Sequence, residues 1–201
     1  CGISREKITV IPYGVDSRVF SPTQKPGLEG GPLRVLFVGE VGLRKGAPYL
    51  LEALLRVGGK RVHARLAGQI ALDPMRLAPY CDVAEFLGPV PRNQTPDLFR
   101  WAQVFVLPSI VEGSATVTYE ALMSGLPVIT TPNAGSIVSD GENGTIVAAK
   151  DAIALSDAIE QYCDDPLILE KHSNGARNSR SEADIARYAK DLEQLFGVLS
   201  P

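Results

Sequence analysis

Val104-Phe105-Val106-Leu107-Pro108-Ser109-Ile110-Val111-Glu112-Gly113-Ser114-Ala115-Thr116-Val117-Thr118-Tyr119-Glu120-Ala121-Leu122 reads as a strand, a loop and a helix. The apolar run up to Pro108 suits a buried strand, and the residues from Thr116 onward suit a helix. Two carboxylates, Glu112 and Glu120, stand eight residues apart, the first in the loop and the second inside the helix. That order gathers both around one helix N-terminus. Unpaired N–H groups and the positive end of the dipole make such a terminus suit a phosphate. Carboxylates beside a phosphate would repel it, so they must contact another part of the same ligand. Sugar hydroxyls meet that need, and the stretch reads as a nucleotide-sugar site.

Working outward, strands are expected at 33–38, 61–67, 83–87, 103–107, 127–130 and 145–148. Helices are expected at 47–57, 74–81, 95–102, 116–124, 151–164, 166–180 and 182–199, and a short β-rich stretch at 7–13. Strand–helix alternation with near-continuous apolar strands predicts an α/β fold, a Rossmann-like parallel sheet flanked by helices on both faces. Ligands of such sheets bind beyond the carboxyl ends of the strands, at a switch point. Gly39, Gly68, Gly88 and Pro108 all close strands at that edge. Residues 1–32, rich in Pro and Gly from 21 onward, read as an inter-domain linker segment. Residues 33–181 read as a nucleotide-sugar-binding domain, and 182–201 as a C-terminal helix.

The length, 201 residues, and the 45% hydrophobic content fit one large α/β domain. A net charge of −3 offers no basic surface for nucleic acid or anionic lipid. Cys1, Cys81 and Cys163 are odd in number and widely spaced. They read as reduced thiols of a cytoplasmic protein, not as a disulfide frame or metal site. His63 and His172 have no ligand-like neighbours in sequence. No apolar run reaches the roughly 18 residues of a membrane-spanning helix. Cys1-Gly2-Ile3-Ser4 reads as the middle of a longer chain.

Gly39-Glu40-Val41-Gly42-Leu43-Arg44-Lys45-Gly46 follows the first strand and opens the first long helix. It is neither a P-loop nor a dinucleotide fingerprint. Gly39 permits close backbone approach, and Arg44 and Lys45 are placed to meet a phosphate. A merely solvated cation there would oppose the helix dipole. Glu112, followed by Gly113, is expected to accept from sugar hydroxyls and Glu120 from a ribose. Glu120 is too far from Thr116 to form a capping box. Ser114, Ala115 and Thr116 should present N–H groups to the diphosphate, while Tyr119 packs. In Gly88-Pro89-Val90-Pro91-Arg92, Val90 should pack on the nucleobase. Asn133-Ala134-Gly135-Ser136 is a candidate lining for the sugar end, and 140–144 is a turn.

Together these segments resemble the C-terminal half of glycosyltransferase family 4 enzymes, which have the GT-B architecture. Residues 7–20 resemble the family's linker into its second domain. Val38-Gly39 with Leu43-Arg44-Lys45-Gly46 resembles its phosphate loop. Pro108-Ser109, Glu112-Gly113, Glu120-Ala121-Leu122 and Gly125-Leu126-Pro127-Val128-Ile129 resemble its acidic signature, and 141–147 the segment after it. The resemblance implies that Glu112 serves the donor sugar, Glu120 the ribose and Lys45 the phosphate, with Glu112 and Lys45 as the catalytic pair. It implies a cofactor-free, metal-independent reaction with retention at the anomeric carbon. The acceptor (a sugar, lipid or small molecule) would bind an N-terminal domain, to which the stripe Ile185, Tyr188, Leu192 and Leu195 would cross back. This half alone should be inactive, and the whole protein cytoplasmic, with room for peripheral attachment at the inner membrane face.

Two departures from the pattern matter. Glu40 stands where many members have arginine, and Ser114-Ala115 stand where many have Phe-Gly. A conformation with φ > 0 would cost alanine more than glycine. A nucleotide-sugar epimerase-like domain and a non-catalytic nucleotide-sugar-binding module are the alternative readings.

Overall fold

The computed structural model describes residues 4–22 and 31–199. The start, Cys1-Gly2-Ile3, and residues 23–30 of the expected linker lie outside the described residues. Among the described residues six strands form one sheet: β1 (Leu33–Val38), β2 (Val62–Ala67), β3 (Ala84–Gly88), β4 (Val104–Leu107), β5 (Val128–Thr130) and β6 (Gly144–Ile146). Their order is β3-β2-β1-β4-β5-β6, and every neighbouring pair is parallel. Val35, Phe37, Phe105, Leu107 and Ile129 are fully buried. This is why the central strands read as continuous apolar runs rather than as alternating ones.

Among the described residues six α-helices accompany the sheet: α1 (Ala47–Val57), α2 (Thr95–Trp101), α3 (Thr116–Met123), α4 (Ala152–Asp164), α5 (Pro166–Asn178) and α6 (Ile185–Leu199). The chain steps from β1 to β2 on one side and from β3 across to β4, β5 and β6 on the other. Right-handed crossovers therefore place α1 and α3 on opposite faces. α1 packs with α4, and α3 with α5. Asp151 and Asp165 cap α4 and α5 by accepting from the N–H groups of Ile153 and Ala154, and of Leu167 and Ile168.

Two expectations need correction. Residues 74–81 form two short 3-10 turns, Pro74–Arg76 and Ala78–Tyr80. Pro79 lacks the N–H an α-helix would use, and its ring would meet the preceding turn. Residues 8–13 form no strand. They lie against α6 instead, with the Arg187 guanidinium donating to the Pro12 carbonyl (2.9 Å) and Tyr13 beside Tyr188. Val15 makes an isolated bridge to Asp184. Farther along, Phe20 is buried edge-on against Phe99 of α2. Part of the segment read as a linker is thus anchored to the domain. On α6, Ile185 is exposed and Tyr188, Leu192 and Leu195 are half-buried. No helix among the described residues is long and apolar enough to cross a membrane.

Candidate functional site

β1 and β4 are neighbours whose chains leave in opposite directions, so a crevice opens between the loops that follow them. Three loops meet there: 39–46 after β1, 108–115 after β4 and 131–136 after β5. Gly46 stands at the start of α1 with φ 74°, and a Cβ there would collide with the Pro108 carbonyl. Its lack of a side chain lets the first loop press onto the second. The Ile110 N–H then donates to the Arg44 carbonyl (2.9 Å). Gly135, at φ 59°, lets the third loop approach the Gly113 carbonyl equally closely. The N–H groups of Glu112 and Ala115 donate to the Asn133 and Ala134 carbonyls (3.1 and 3.0 Å). The Asn133 amide also donates to the Ile110 carbonyl (2.9 Å).

This stitching brings Lys45 and Glu112 together. Lys45 Nζ lies 2.8 Å from Glu112 Oε1, with the two side chains only 12% and 10% exposed. Arg44, half exposed, pairs with the same oxygen. One carboxylate thus holds both cations. Gly39 turns over Lys45, and its N–H donates to the Ala67 carbonyl (2.8 Å), so it offers close approach rather than a free donor. Glu40 is exposed, and its carboxylate lies over Gly42.

The start of α3 has no side-chain cap. Among the described residues, the N–H groups of Thr116 and Val117 make no hydrogen bond, nor do those of Gly113 and Ser114. The Ala115 N–H, by contrast, is engaged by Ala134. Ala115 sits at φ −85°, so alanine in place of glycine carries no conformational penalty. Ser114 Oγ donates to the Gly135 carbonyl (2.8 Å), and buried Tyr119 reaches the same oxygen (3.3 Å), a packing role. Thr116 is exposed at the mouth of the crevice.

One turn into α3, Glu120 is fully buried. Neither of its oxygens accepts a hydrogen bond among the described residues. Arg92 Nη2 lies 2.6 Å from Oε1, close enough to pair but not aligned as a hydrogen bond. Burial pushes the carboxyl up from its ordinary range, and Arg92 opposes that shift. Val90, half-buried, lines a cavity of about 270 Å³ together with Val38, Gly39, Ala67, Gln69 and Leu98. The apolar sides of that cavity suit a flat ring. The candidate residues Gly39, Arg44, Lys45, Val90, Glu112, Gly113, Ser114, Ala115, Thr116 and Glu120 all lie at the carboxyl edge of the sheet. Arg92 was named in the sequence only as part of a loop. Its approach to Glu120 joins two elements remote in sequence, and no local pattern signals it.

The raised Glu120 carboxyl carries a stability consequence. Its folded pKa lies above its unfolded one, so the folded state favours the proton. Stability is then lost as pH rises from the unfolded carboxylate range through the raised folded value. Glu120→Gln removes that loss, and the Arg92 it leaves behind is exposed and solvated. The unliganded variant should melt higher than wild type at pH 8, with the gap narrowing at pH 5. Melting curves at both pH values test this; an equal gap at both would contradict it.

The sequence model described as Glycosyl transferases group 1 matches residues 32–165, well over half of the chain. The chain belongs to the glycosyl transferases group 1 family. A D-inositol 3-phosphate glycosyltransferase of Mycolicibacterium smegmatis is 30% identical over 186 residues, covering 84% of this chain and 43% of that protein. The chain spans about half the length of the curated relatives it matches. Two solved structures share the fold of this chain. The C-terminal domain of a group 1 family protein (LpcC) from Francisella tularensis aligns with a TM-score of 0.74 at 23% identity, covering 86% of this chain and 100% of that one. Anabaena HepE in complex with UDP-glucose aligns at 0.82 and 19% identity, covering 98% and 59%. The six-stranded parallel architecture is that of the C-terminal half of a GT-B glycosyltransferase.

Proposed function

We propose that this chain is the donor-binding domain of a retaining glycosyltransferase, which moves a sugar from a nucleoside-diphosphate sugar to an acceptor. The observation that carries this reading is the convergence at one switch point of a cation pair, an open helix N-terminus and two carboxylates. Lys45, with Arg44, and the free N–H groups at the start of α3 take the diphosphate. Glu112 accepts from the donor sugar's hydroxyls, and Glu120 from the ribose. Val90 packs on the base. Gly39, Gly113, Ser114 and Ala115 let the backbone close around the ligand, and Thr116 adds its N–H and hydroxyl.

During transfer the bond between the anomeric carbon and the diphosphate oxygen breaks, and negative charge grows on the leaving group. Lys45, once released by Glu112, and the α3 N-terminus meet that charge and need no metal to supply it. Glu112 has a double duty: it releases Lys45 to the phosphate as it takes up the sugar. The named activity of the mycobacterial relative supports sugar transfer to a small molecule, and the UDP-glucose held by HepE supports a nucleotide-sugar donor. We place the acceptor on a second domain and the protein in the cytoplasm, at the inner membrane face where the acceptor is a lipid.

Melting temperature with UDP, GDP, ADP and their sugar conjugates, each at millimolar concentration, tests the reading. Ligand at about 100 times its dissociation constant adds roughly 2.7 kcal/mol of stability. A shift with one base, larger for a sugar conjugate, is expected. Stabilisation by none of them would contradict it.

A further inference from the structure

We propose that Arg92 is a positioning residue of the nucleotide site: in the empty protein its guanidinium holds the ribose's place on Glu120, and nucleotide binding displaces it. The proposal rests on the reading of Glu120 as the ribose acceptor and goes beyond it.

The pair is lopsided. The Glu120 side chain is 1% exposed and that of Arg92 is 70% exposed. A carboxylate with no hydrogen bond inside a protein is unstable as an anion. One cation at 2.6 Å compensates it, and that cation comes from a surface loop between β3 and α2. The contact is therefore exchangeable. Guanidinium presents planar N–H donors, as a ribose presents two neighbouring hydroxyl donors, so both suit the same pair of oxygens.

There is also somewhere for Arg92 to go. A cavity of about 570 Å³ opens beside it, lined by Val15, Phe20, Asn93, Pro96 and Thr116. The Arg92 guanidinium carbon already stands 5.4 Å from the Phe20 ring centroid, within reach of a cation–π contact. Thr116 and Glu120 lie four residues apart on α3 and share a face. A ligand with its phosphates on the α3 N-terminus and its ribose on Glu120 must pass the guanidinium.

Other charges near α3 do not take this role. β4 and β5, on which α3 packs, carry no titratable side chain. α5 and the turn after it bring Arg177 and Arg180 toward α3, Arg177 against Gly125. Asp16 lines the same cavity as Arg92 and is held ionised by Arg18, 2.7 Å away. Among the described residues, Arg92 alone stands at ion-pairing distance from Glu120. Without it, burial acts on the carboxyl unopposed.

Calorimetric titration of UDP and GDP between pH 5 and 9 tests the proposal, on wild type, Arg92→Ala, Arg92→Lys and Glu120→Gln. In wild type, affinity should fall as Glu120 takes up its proton. In Arg92→Ala that midpoint should move up by about one pH unit or more. Above the midpoint this variant should bind several-fold more tightly, because nothing has to be displaced. Arg92→Lys should restore the wild-type midpoint, and Glu120→Gln should bind weakly with no such midpoint. An unchanged midpoint in Arg92→Ala, with Glu120→Gln weakened, would overturn the role of Arg92 alone. Wild-type affinity in Glu120→Gln would overturn the ribose reading and this proposal with it.

Discussion

Lys45→Ala is expected to weaken binding of a nucleoside diphosphate to this chain about tenfold or more. In the enzyme that carries the domain, sugar transfer should slow by about 10²- to 10³-fold, as when one preorganised charge stabiliser is removed. Lys45 is the most enclosed cation of the cluster, with its ammonium 2.8 Å from Glu112 and its stem lying along Gly39. Its charge is therefore little screened by water, and Glu112 holds it at the crevice until a ligand draws it away. Arg44 pairs with the same carboxylate but is half exposed, so its loss should cost less. The fold should survive Lys45→Ala, because Arg44 still partners Glu112. Melting curves check that survival, and titration with UDP and GDP checks the affinity. Wild-type affinity in a folded Lys45→Ala variant would remove Lys45 from the site.

Glu112→Gln should change two affinities in opposite directions. A nucleoside-diphosphate sugar should bind about tenfold or more weakly, because a charged acceptor of sugar hydroxyls is lost. The bare nucleoside diphosphate should bind as well as before, or more tightly. In wild type it must draw Lys45 and Arg44 away from Glu112 Oε1, and in the variant both cations are free. The ratio of the two affinities is thus more telling than either one. Equal losses for both ligands would mean that Glu112 orders the phosphate loop and never meets the sugar.

Much of the fold could be read in the sequence because its sheet is buried on both faces. β1 and α1 lie at the residues expected, since six apolar-rich positions closed by Gly39 leave little freedom, as do the paired leucines of α1. The misreadings come from weaker local signals. Apolar residues at 8–13 suggested a strand, yet Ile8 and Val10 are exposed and pair with no strand among the described residues. Residues 74–81 carry helix formers, but Pro79 breaks the hydrogen-bond ladder. Which residues sit at the carboxyl edge of the sheet was also legible, because each follows a strand. Their partners were not. The pairing of Lys45 with Glu112, the hold of Ala134 on the Ala115 N–H and the approach of Arg92 to Glu120 all join segments that follow different strands. Periodicity carries no trace of such contacts. The substitution of alanine at 115 looked costly only under a positive φ, which the chain does not adopt there.

The most direct measurement is a crystal structure of this chain with the nucleoside-diphosphate sugar that stabilises it most. The account predicts the diphosphate between Lys45 and the N–H groups of Thr116 and Val117. It also predicts sugar hydroxyls on Glu112, the ribose on Glu120 and Arg92 turned toward Phe20. A diphosphate bound away from Lys45 and the start of α3 would contradict it.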